Sequence, residues 1–121
     1  DLSIELLLGY FFAPITWLMG IPWSEALVAG ELLGLKTTLN EFVAYPALAN
    51  LEPGLLSERS KLITFYSLCG FANFSSVGIL ISGIGAMVPE RKNDLIEVSF
   101  KALVAATLAS CMTGLVVGCF I

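Results

Sequence analysis

Two short polar clusters interrupt an otherwise apolar sequence, and they contain the residues best suited to chemistry. One covers residues 36–41, KTTLNE, and the other covers residues 73–76, NFSS. Their ammonium, carboxylate, amide and hydroxyl groups can exchange hydrogen bonds with a polar ligand. Because an ionisable side chain inside a hydrophobic membrane segment is energetically costly, it marks a functional site by default. The clusters therefore predict a small polar binding site within a membrane.

The composition of the chain favours a membrane protein and argues against nucleic-acid binding. Of the 121 residues, 57% are hydrophobic and only 13% are charged, and the mean hydropathy is +0.89. A soluble domain usually has about 25% charged residues. The net charge of −4 comes from 10 acidic and 6 basic residues without a basic run, which argues against a nucleic-acid partner. No cleavable leader is recognisable after Asp1, so we expect the chain to be part of a longer membrane protein.

The three cysteines predict packing positions and not a metal site. Cys69, Cys111 and Cys119 are widely spaced in apolar sequence, and the chain has no histidine. Zinc sites commonly use a Cys-x-x-Cys pair, and the sequence contains none. We therefore expect this chain to bind no metal and no cofactor.

An apolar arm and a helical hairpin are the first two elements that would position the clusters. Residues 1–23 predict an arm near the membrane interface, because proline and glycine interrupt it and aromatic residues lie near its ends. Segment 24–51 contains two apolar arms, 24–35 and 42–51, each roughly 15–18 Å long as helix. A membrane crossing needs about 20 residues, so neither arm crosses alone. We predict a re-entrant hairpin that turns at 36–41 and returns to the outer face.

The last two elements are predicted to cross the membrane. Segment 60–88 is long enough, but glycine and polar residues at 70–78 predict a discontinuous transmembrane helix. Segment 95–121 is predicted to be an uninterrupted transmembrane helix. The small residues that recur at every fourth position of this helix are Ala106, Ser110, Gly114 and Gly118. Such a stripe predicts close packing against another helix.

The charged connections indicate how these segments are oriented. Loop 89–94 contains Arg91 and Lys92, and basic residues favour the cytoplasmic side of a membrane. The connection 52–60 is then expected to face outward. The predicted fold class is therefore an all-α integral membrane protein with a re-entrant hairpin, a broken transmembrane helix and a final transmembrane helix.

Each polar residue also has a purely structural interpretation. Lys36 and Glu41 could form a structural ion pair, while Asn73 and Ser76 could hydrogen-bond two helices together. Phe71 could belong to the core. The functional interpretation is favoured because a hairpin with an acidic tip is followed by a broken helix. Structural contacts alone do not require a carboxylate at such a tip.

Two long motifs resemble the concentrative nucleoside transporters. Residues 34–45, GLKTTLNEFVAY, are similar to the second hairpin of that family, and residues 68–79, LCGFANFSSVGI, to the broken helix that follows it. The resemblance covers essentially the whole chain, including GIPW at 20–23 and PER at 89–91. It implies that residues 1–121 are the C-terminal portion of the transport domain, in one half of an inverted-repeat transporter. The missing N-terminal half would carry the other hairpin, the nucleobase contacts and the usual sodium site.

The resemblance also implies a function and a set of site residues. Such transporters move nucleosides inward across the plasma or inner membrane as multi-pass proteins, commonly as homotrimers, using a gradient of sodium or protons. Glu41 would accept hydrogen bonds from ribose hydroxyls, and Asn73 and Ser76 would bind the remaining sugar hydroxyls. Phe71 would pack against the nucleoside. The supporting residues would be Lys36 and Asn40.

Two other functions stay open on the residues alone. A proton-conducting membrane subunit could use Glu41 as its carrier, without any demand for sugar hydroxyls. An intramembrane enzyme is disfavoured, because no spacing ties Lys36 or Lys101 to a serine and the chain lacks histidine. A second hairpin and broken helix upstream, in mirror order, would distinguish transport from proton conduction.

Overall fold

In the computed structural model, which describes residues 2–121, all regular structure is helical. The helices are α1 (Ile4–Leu18), α2 (Trp23–Thr38), α3 (Glu41–Ala49), α4 (Glu58–Ser67), α5 (Phe74–Met87) and α6 (Lys92–Phe120). A 3-10 turn, Pro89–Arg91, precedes α6. The prediction of an all-α chain is confirmed.

Side-chain caps set where four of these helices begin. In each helix, a serine or asparagine oxygen accepts a hydrogen bond from the backbone N–H three residues later. This satisfies a donor that the helix itself leaves free. The capping residues are Ser3, Asn40, Ser57 and Asn73. Two of them, Asn40 and Asn73, belong to the polar clusters, so each cluster contains the start of a helix.

Helices α2 and α3 fold back on each other around a two-residue connection, Leu39 and Asn40. Leu32 and Leu33 of α2 pack in the same apolar cluster as Ala44 of α3. The two arms differ in length, with 16 residues in α2 and 9 in α3. The chain therefore has the shape of a helical hairpin here, and its re-entry into a membrane stays a prediction.

The turn of this hairpin is shorter than the sequence predicts. Instead of ending before residue 36, α2 continues through Thr38, and the Thr37 hydroxyl donates to the Leu33 carbonyl oxygen at 2.8 Å. Threonine can make this bond to the carbonyl four residues back while the backbone stays helical. Polar composition alone therefore does not end α2, and Lys36 lies on its last turn.

A second interruption, at residues 68–73, separates α4 from α5. These helices have 10 and 14 residues, and each is shorter than the roughly 20 residues that a crossing needs. A Cβ atom built on Gly70 would overlap the Ser110 hydroxyl of α6, so only glycine lets the chain pass this close. The sequence predicts unwinding over 70–78, whereas α5 begins at Phe74 because Asn73 caps it.

Helix α6 is the longest helix and has the composition of a membrane span. With the preceding turn it covers Pro89–Phe120, 32 residues, and its most apolar part has a mean hydropathy of 2.0. Among residues 2–121 it is the one helix that is both long and apolar enough to cross a membrane. It begins at Lys92, slightly before the predicted start at residue 95.

The small residues of α6 pack against α4. Gly114 and Gly118 are buried, and a Cβ built on Gly114 would overlap the Ser67 hydroxyl and lie 2.6 Å from the Ile63 carbonyl oxygen. The absence of a side chain lets the two backbones approach closely. The predicted packing stripe is confirmed at these positions, whereas Ala106 is exposed and lies outside the contact.

Helix α1 packs along α2, and the Arg59 side chain connects the start of α4 to the ends of α1 and α6. A Cβ built on Gly30 of α2 would lie 2.5 Å from the Gly9 carbonyl oxygen of α1. Arg59, in the first turn of α4, donates to the carbonyl oxygens of Gly20 and Gly118 at 2.6 and 2.8 Å. The predicted interfacial arm is thus a helix packed on the hairpin, and its position at a membrane interface stays a prediction.

The base of the hairpin is also bound to α4. Ser57 donates to Glu25 Oε2 through its backbone N–H at 3.2 Å and its hydroxyl at 3.1 Å. Both bonds place donors on the Glu25 carboxylate, which favours its ionised form. An ionised Glu25 therefore connects the start of α2 to the start of α4.

Candidate functional site

Glu41 lies in the first turn of α3, at the tip of the hairpin. The Asn40 side chain caps this helix by accepting a hydrogen bond from the Val43 N–H at 3.1 Å. The N-terminal end of a helix carries partial positive charge, which stabilises a carboxylate in the first turn. The cap therefore fixes the start of α3 where the charge of Glu41 is favoured, and the Glu41 side chain stays half-buried.

Asn73 and Ser76 form a reciprocal cap at the start of α5. Asn73 Oδ1 accepts from the Ser76 N–H at 2.7 Å, and Ser76 Oγ accepts from the Asn73 N–H at 3.2 Å. The Ser76 hydroxyl also donates to the Asn73 carbonyl oxygen at 2.7 Å. These bonds satisfy donors that a helix start leaves free. Both residues are buried, at 1% and 5% exposure, and they define a helix terminus at the interruption.

One hydrogen bond joins the hairpin tip to this helix terminus. Asn73 Nδ2 donates to Glu41 Oε2 at 3.3 Å, between residues 32 positions apart in sequence. Glu41 belongs to the first turn of α3 and Asn73 caps α5, so the positive ends of two helices lie beside one carboxylate. The tertiary structure thus brings together Glu41, Asn73 and Ser76.

Phe71 lies in the interruption between α4 and α5 and is 66% exposed. The alternative that assigns it to the core is therefore wrong within residues 2–121. An exposed aromatic ring close to a polar cluster offers a large contact area to a ligand or to another part of a longer chain. Phe71 is two positions from Asn73 and takes no part in the hydrogen bonds of the site.

Lys36 is completely buried, and the ion pair with Glu41 that the structural interpretation allows does not form. Its exposure is 0%, and among residues 2–121 its Nζ atom has no hydrogen-bond partner. The ion pairs that do form within this range are Lys61–Glu58, Arg91–Asp94 and Lys101–Glu97. Lys36 lies on the last turn of α2 and Glu41 begins α3 after the turn, and the two charged groups do not come within ion-pair distance.

Tyr45 is a further residue at this site that the sequence alone did not single out. Its hydroxyl donates to the Phe65 carbonyl oxygen at 3.1 Å and lies 2.9 Å from Cys69 Sγ. These contacts hold α3 against the end of α4. The available signal was its spacing, because Tyr45 lies four positions after Glu41 and therefore on the same face of α3.

The arrangement can bind a polar ligand through hydroxyl groups. A carboxylate has about four lone-pair positions, and the Asn73 amide occupies one of those on Glu41. The others can accept from two adjacent hydroxyls of one ligand. Within residues 2–121, no three His, Cys, Asp or Glu side chains are grouped to hold a metal ion. The chemistry that these side chains offer is hydrogen bonding.

The sequence matches a known family along nearly its whole length. The family is described as Na+ dependent nucleoside transporter C-terminus, and the match covers residues 1–118. Nucleoside permease NupC of Helicobacter pylori is 44% identical over an aligned length of 124 positions. The alignment covers 99% of this chain and 30% of that protein. The mouse sodium/nucleoside cotransporter 1 is 38% identical over an aligned length of 131 positions, and the alignment covers 97% of this chain and 20% of that protein. The chain thus spans less than a third of the length of these relatives.

Solved structures contain the same arrangement of helices. The transporter CNTnw in an inward-facing substrate-bound state has a TM-score of 0.86 at 41% identity, covering 98% of this chain and 29% of that chain. A CNTnw variant in an intermediate state has a TM-score of 0.91 at 41% identity, covering 99% of this chain and 30% of that chain. The fold described above is therefore similar to that of a segment of CNTnw.

Proposed function

The chain belongs to the Na+-dependent nucleoside transporter family, and we propose that it supplies the ribose-binding half of a nucleoside transport site in a longer membrane protein. The hydrogen bond from Asn73 to Glu41 is the observation that carries this proposal, because it joins the hairpin tip to the helix interruption. Relatives named as a nucleoside permease and a sodium/nucleoside cotransporter support the substrate class. In this proposal, hairpin 24–51 re-enters the membrane and the sugar binds at its tip.

Glu41 and Asn73 are proposed to exchange their mutual hydrogen bond for bonds to ribose. Asn73 is 1% exposed and its amide donates to Glu41, so a sugar hydroxyl reaches the amide by taking the place of the carboxylate oxygen. One hydroxyl can donate to the carboxylate and accept from the amide, which keeps both groups satisfied. Hydrogen bonds to a charged group are worth about 1.5–3 kcal/mol. A sugar that lacks the hydroxyl would leave buried groups unpaired and would be rejected.

Ser76, Phe71 and Asn40 are proposed to act on the same ligand in different ways. The Ser76 hydroxyl accepts from the Asn73 N–H and donates to the Asn73 carbonyl, which leaves one lone pair for a sugar hydroxyl. The exposed Phe71 ring would pack against the nucleoside. Asn40 would act indirectly, by capping α3 and so orienting Glu41.

The remaining transport machinery is proposed to lie in the rest of the longer protein. That part would contact the nucleobase and bind the coupling cation, for which sodium is supported by the name of the mouse relative. The complete protein would be a multi-pass protein of the plasma membrane, with the loop 89–94 on the cytoplasmic side. Its assembly as a homotrimer is a prediction from the family resemblance.

The two alternative functions receive less support. The relatives are permeases and cotransporters, and the chain is not an enzyme. A proton-conducting subunit would need Glu41 to exchange protons with titratable groups or water. Its hydrogen-bond partner is instead the Asn73 amide, which has no titrating proton.

The proposal is tested by measuring nucleoside binding to the full-length transporter carrying Glu41→Gln. Glutamine keeps the size of the side chain but removes the charge and two of the acceptor positions. Binding should weaken more than tenfold, which corresponds to about 1.4 kcal/mol. Glu97→Gln is the matched control, because Glu97 is an exposed glutamate on α6 whose partner is Lys101. The control should bind nucleoside like the parent.

Competition experiments then identify the part of the ligand that Glu41 contacts. Deoxynucleosides should compete poorly for binding to the parent transporter. In Glu41→Gln the difference in affinity between ribonucleoside and deoxynucleoside should be smaller, because the variant has already lost the partner of the hydroxyl. If the bare base competes as well as the nucleoside, and the variant keeps this ranking, the residues do not bind the sugar. Proton flux without nucleoside that disappears in Glu41→Gln would favour the proton-conducting alternative.

A further inference from the structure

Lys36 is a buried ammonium group without a partner. It is 0% exposed, and among residues 2–121 its Nζ atom has no hydrogen bond. A charge in this situation is strongly unfavourable unless the surroundings supply a compensating field. Residues 2–121 by themselves enclose the side chain, so this chain supplies its surroundings.

The Lys36 side chain lies near the C-terminal ends of two helices, α2 and α4, although none of their carbonyl oxygens accepts a hydrogen bond from its Nζ atom. Lys36 belongs to the last turn of α2. Its Nζ atom lies 3.5 Å from the position that a Cβ on Gly70 would occupy, just beyond the end of α4. The C-terminal end of a helix carries partial negative charge on carbonyl groups that have no partner in the helix. Both helix ends therefore favour a cation at this position.

Helix α6 closes the third side of this space. Ser110 Cβ lies 3.0 Å from the same position beside Gly70, and Cys111 is buried. Glu41 and the Cys111 thiol are the titratable groups near enough to interact electrostatically with Lys36. Glu41 forms no ion pair with Lys36 within residues 2–121, so the partial negative charge of the two helix ends acts on the ammonium together with the Glu41 carboxylate.

We propose that the Lys36 ammonium is a tethered cation, which occupies the place of a mobile cation between the C-terminal ends of α2 and α4. In transporters with discontinuous helices, C-terminal half-helix ends coordinate cations and N-terminal ends face anionic groups. Here the N-terminal ends of α3 and α5 lie beside the Glu41 carboxylate, and the C-terminal ends of α2 and α4 lie beside Lys36. The two opposite charges hold the hairpin tip against the helix interruption.

Lys36 is thereby a positioning residue that affects the ligand through Glu41 and Asn73. In this respect the inference rests on the proposed function, because those residues are the ones proposed to bind ribose. It also predicts that this half of the transporter needs no bound ion while Lys36 is present, and that removing the ammonium creates a requirement for one.

Truncation and chemical rescue in the full-length transporter test the inference. Lys36→Ala removes three methylene groups and the ammonium, and 1-propylammonium supplies groups of the same kind. The variant should unfold at a lower temperature and bind nucleoside at least tenfold more weakly. Added 1-propylammonium should raise the affinity of the variant for nucleoside at least threefold. 1-Propanol, which is similar in size but uncharged, should not raise it. Sodium should raise the unfolding temperature of the variant more than that of the parent.

Three further variants separate charge from packing. Lys36→Met keeps most of the volume without the charge and should bind nucleoside more weakly than Lys36→Arg. If Lys36→Met binds and unfolds like the parent, or if 1-propanol rescues Lys36→Ala equally well, Lys36 only fills space and the inference is wrong. Lys101→Ala removes an exposed lysine and should not respond to the amine. If Lys36→Ala cannot be purified, equal binding by the Arg and Met variants overturns the inference.

The unfolding measurements are made without nucleoside. They therefore report on Lys36 even if the ligand is not a nucleoside. Failure of the proposed function would appear instead as a parent protein that does not bind nucleoside, or that binds the bare base equally well.

Discussion

The contact at the hairpin tip and the seam between α4 and α6 both bring distant parts of the chain close together, by opposite means. At the tip, the Asn73 amide donates to the Glu41 carboxylate across 3.3 Å. In the seam, Gly114 of α6 lies against Ile63 and Ser67 of α4. The Ser67 hydroxyl donates to the Ile63 carbonyl oxygen of its own helix at 2.7 Å, so it needs no partner across the seam.

The two regions therefore differ in their roles: the seam contributes rigidity, and the tip contributes groups that can bind a ligand. Around Gly114 the seam has small residues and a Ser67 hydroxyl that is satisfied within its own helix, so it gains stability from close packing. The tip has polar groups with lone pairs to spare, and its bond between side chains can be exchanged for bonds to a ligand. Proteins commonly depart from the rules of a well-packed interior at functional sites, and the tip is such a departure.

The largest effect on stability is expected from a bulky side chain in the seam. Gly114→Leu would force α4 and α6 apart, because even its Cβ atom would overlap Ser67. Overpacking typically costs about 1–3 kcal/mol and more where the backbone must move, so little folded transporter should be recovered. Leu115→Ile, at the neighbouring position, should change the unfolding temperature very little. Equal tolerance at both positions, measured by thermal unfolding and yield, would show that the seam is not tightly packed.

An intermediate effect is expected when the contact at the tip is dissected by a double-mutant cycle. Asn73→Ser removes the amide that reaches Glu41 but keeps a residue that caps helices well, so α5 should persist. Asn73→Ser and Glu41→Gln should each weaken nucleoside binding, and their combination should be sub-additive by about 1 kcal/mol, since both contact one ligand. Binding constants for the two single variants and the double variant provide the measurement. Strictly additive losses would mean that the two side chains act on separate ligands or sites.

The smallest effect is expected from the cap beneath Glu41. Asn40→Ala removes the acceptor for the Val43 N–H, which should destabilise α3 by about 1 kcal/mol and weaken binding several-fold. Asn40→Ser keeps a capping oxygen and should restore most of both properties. Thermal unfolding and nucleoside binding of the two variants check this. Binding that falls equally in both would indicate a direct contact between Asn40 and the ligand.

Much of the architecture was determined by the sequence alone, because its signals are local. The high apolar content predicted an all-α membrane chain, and the spacing of Gly114 and Gly118 predicted a packing face. The costly polar residues Glu41, Asn73 and Ser76 mark the candidate site by their types and positions alone. Each of these inferences depends on composition or on residues within about one turn of helix, where periodicity and capping act.

Only the tertiary structure decided which residues meet. It made Asn73 the partner of Glu41, although 32 positions separate them, and it packed the small residues of α6 against α4. It also left Lys36 buried and without a hydrogen-bond partner among residues 2–121, in place of the ion pair with Glu41 that was one structural alternative. The physical reason is that helix formation depends on near neighbours, whereas the partner of a buried charge depends on how whole helices pack.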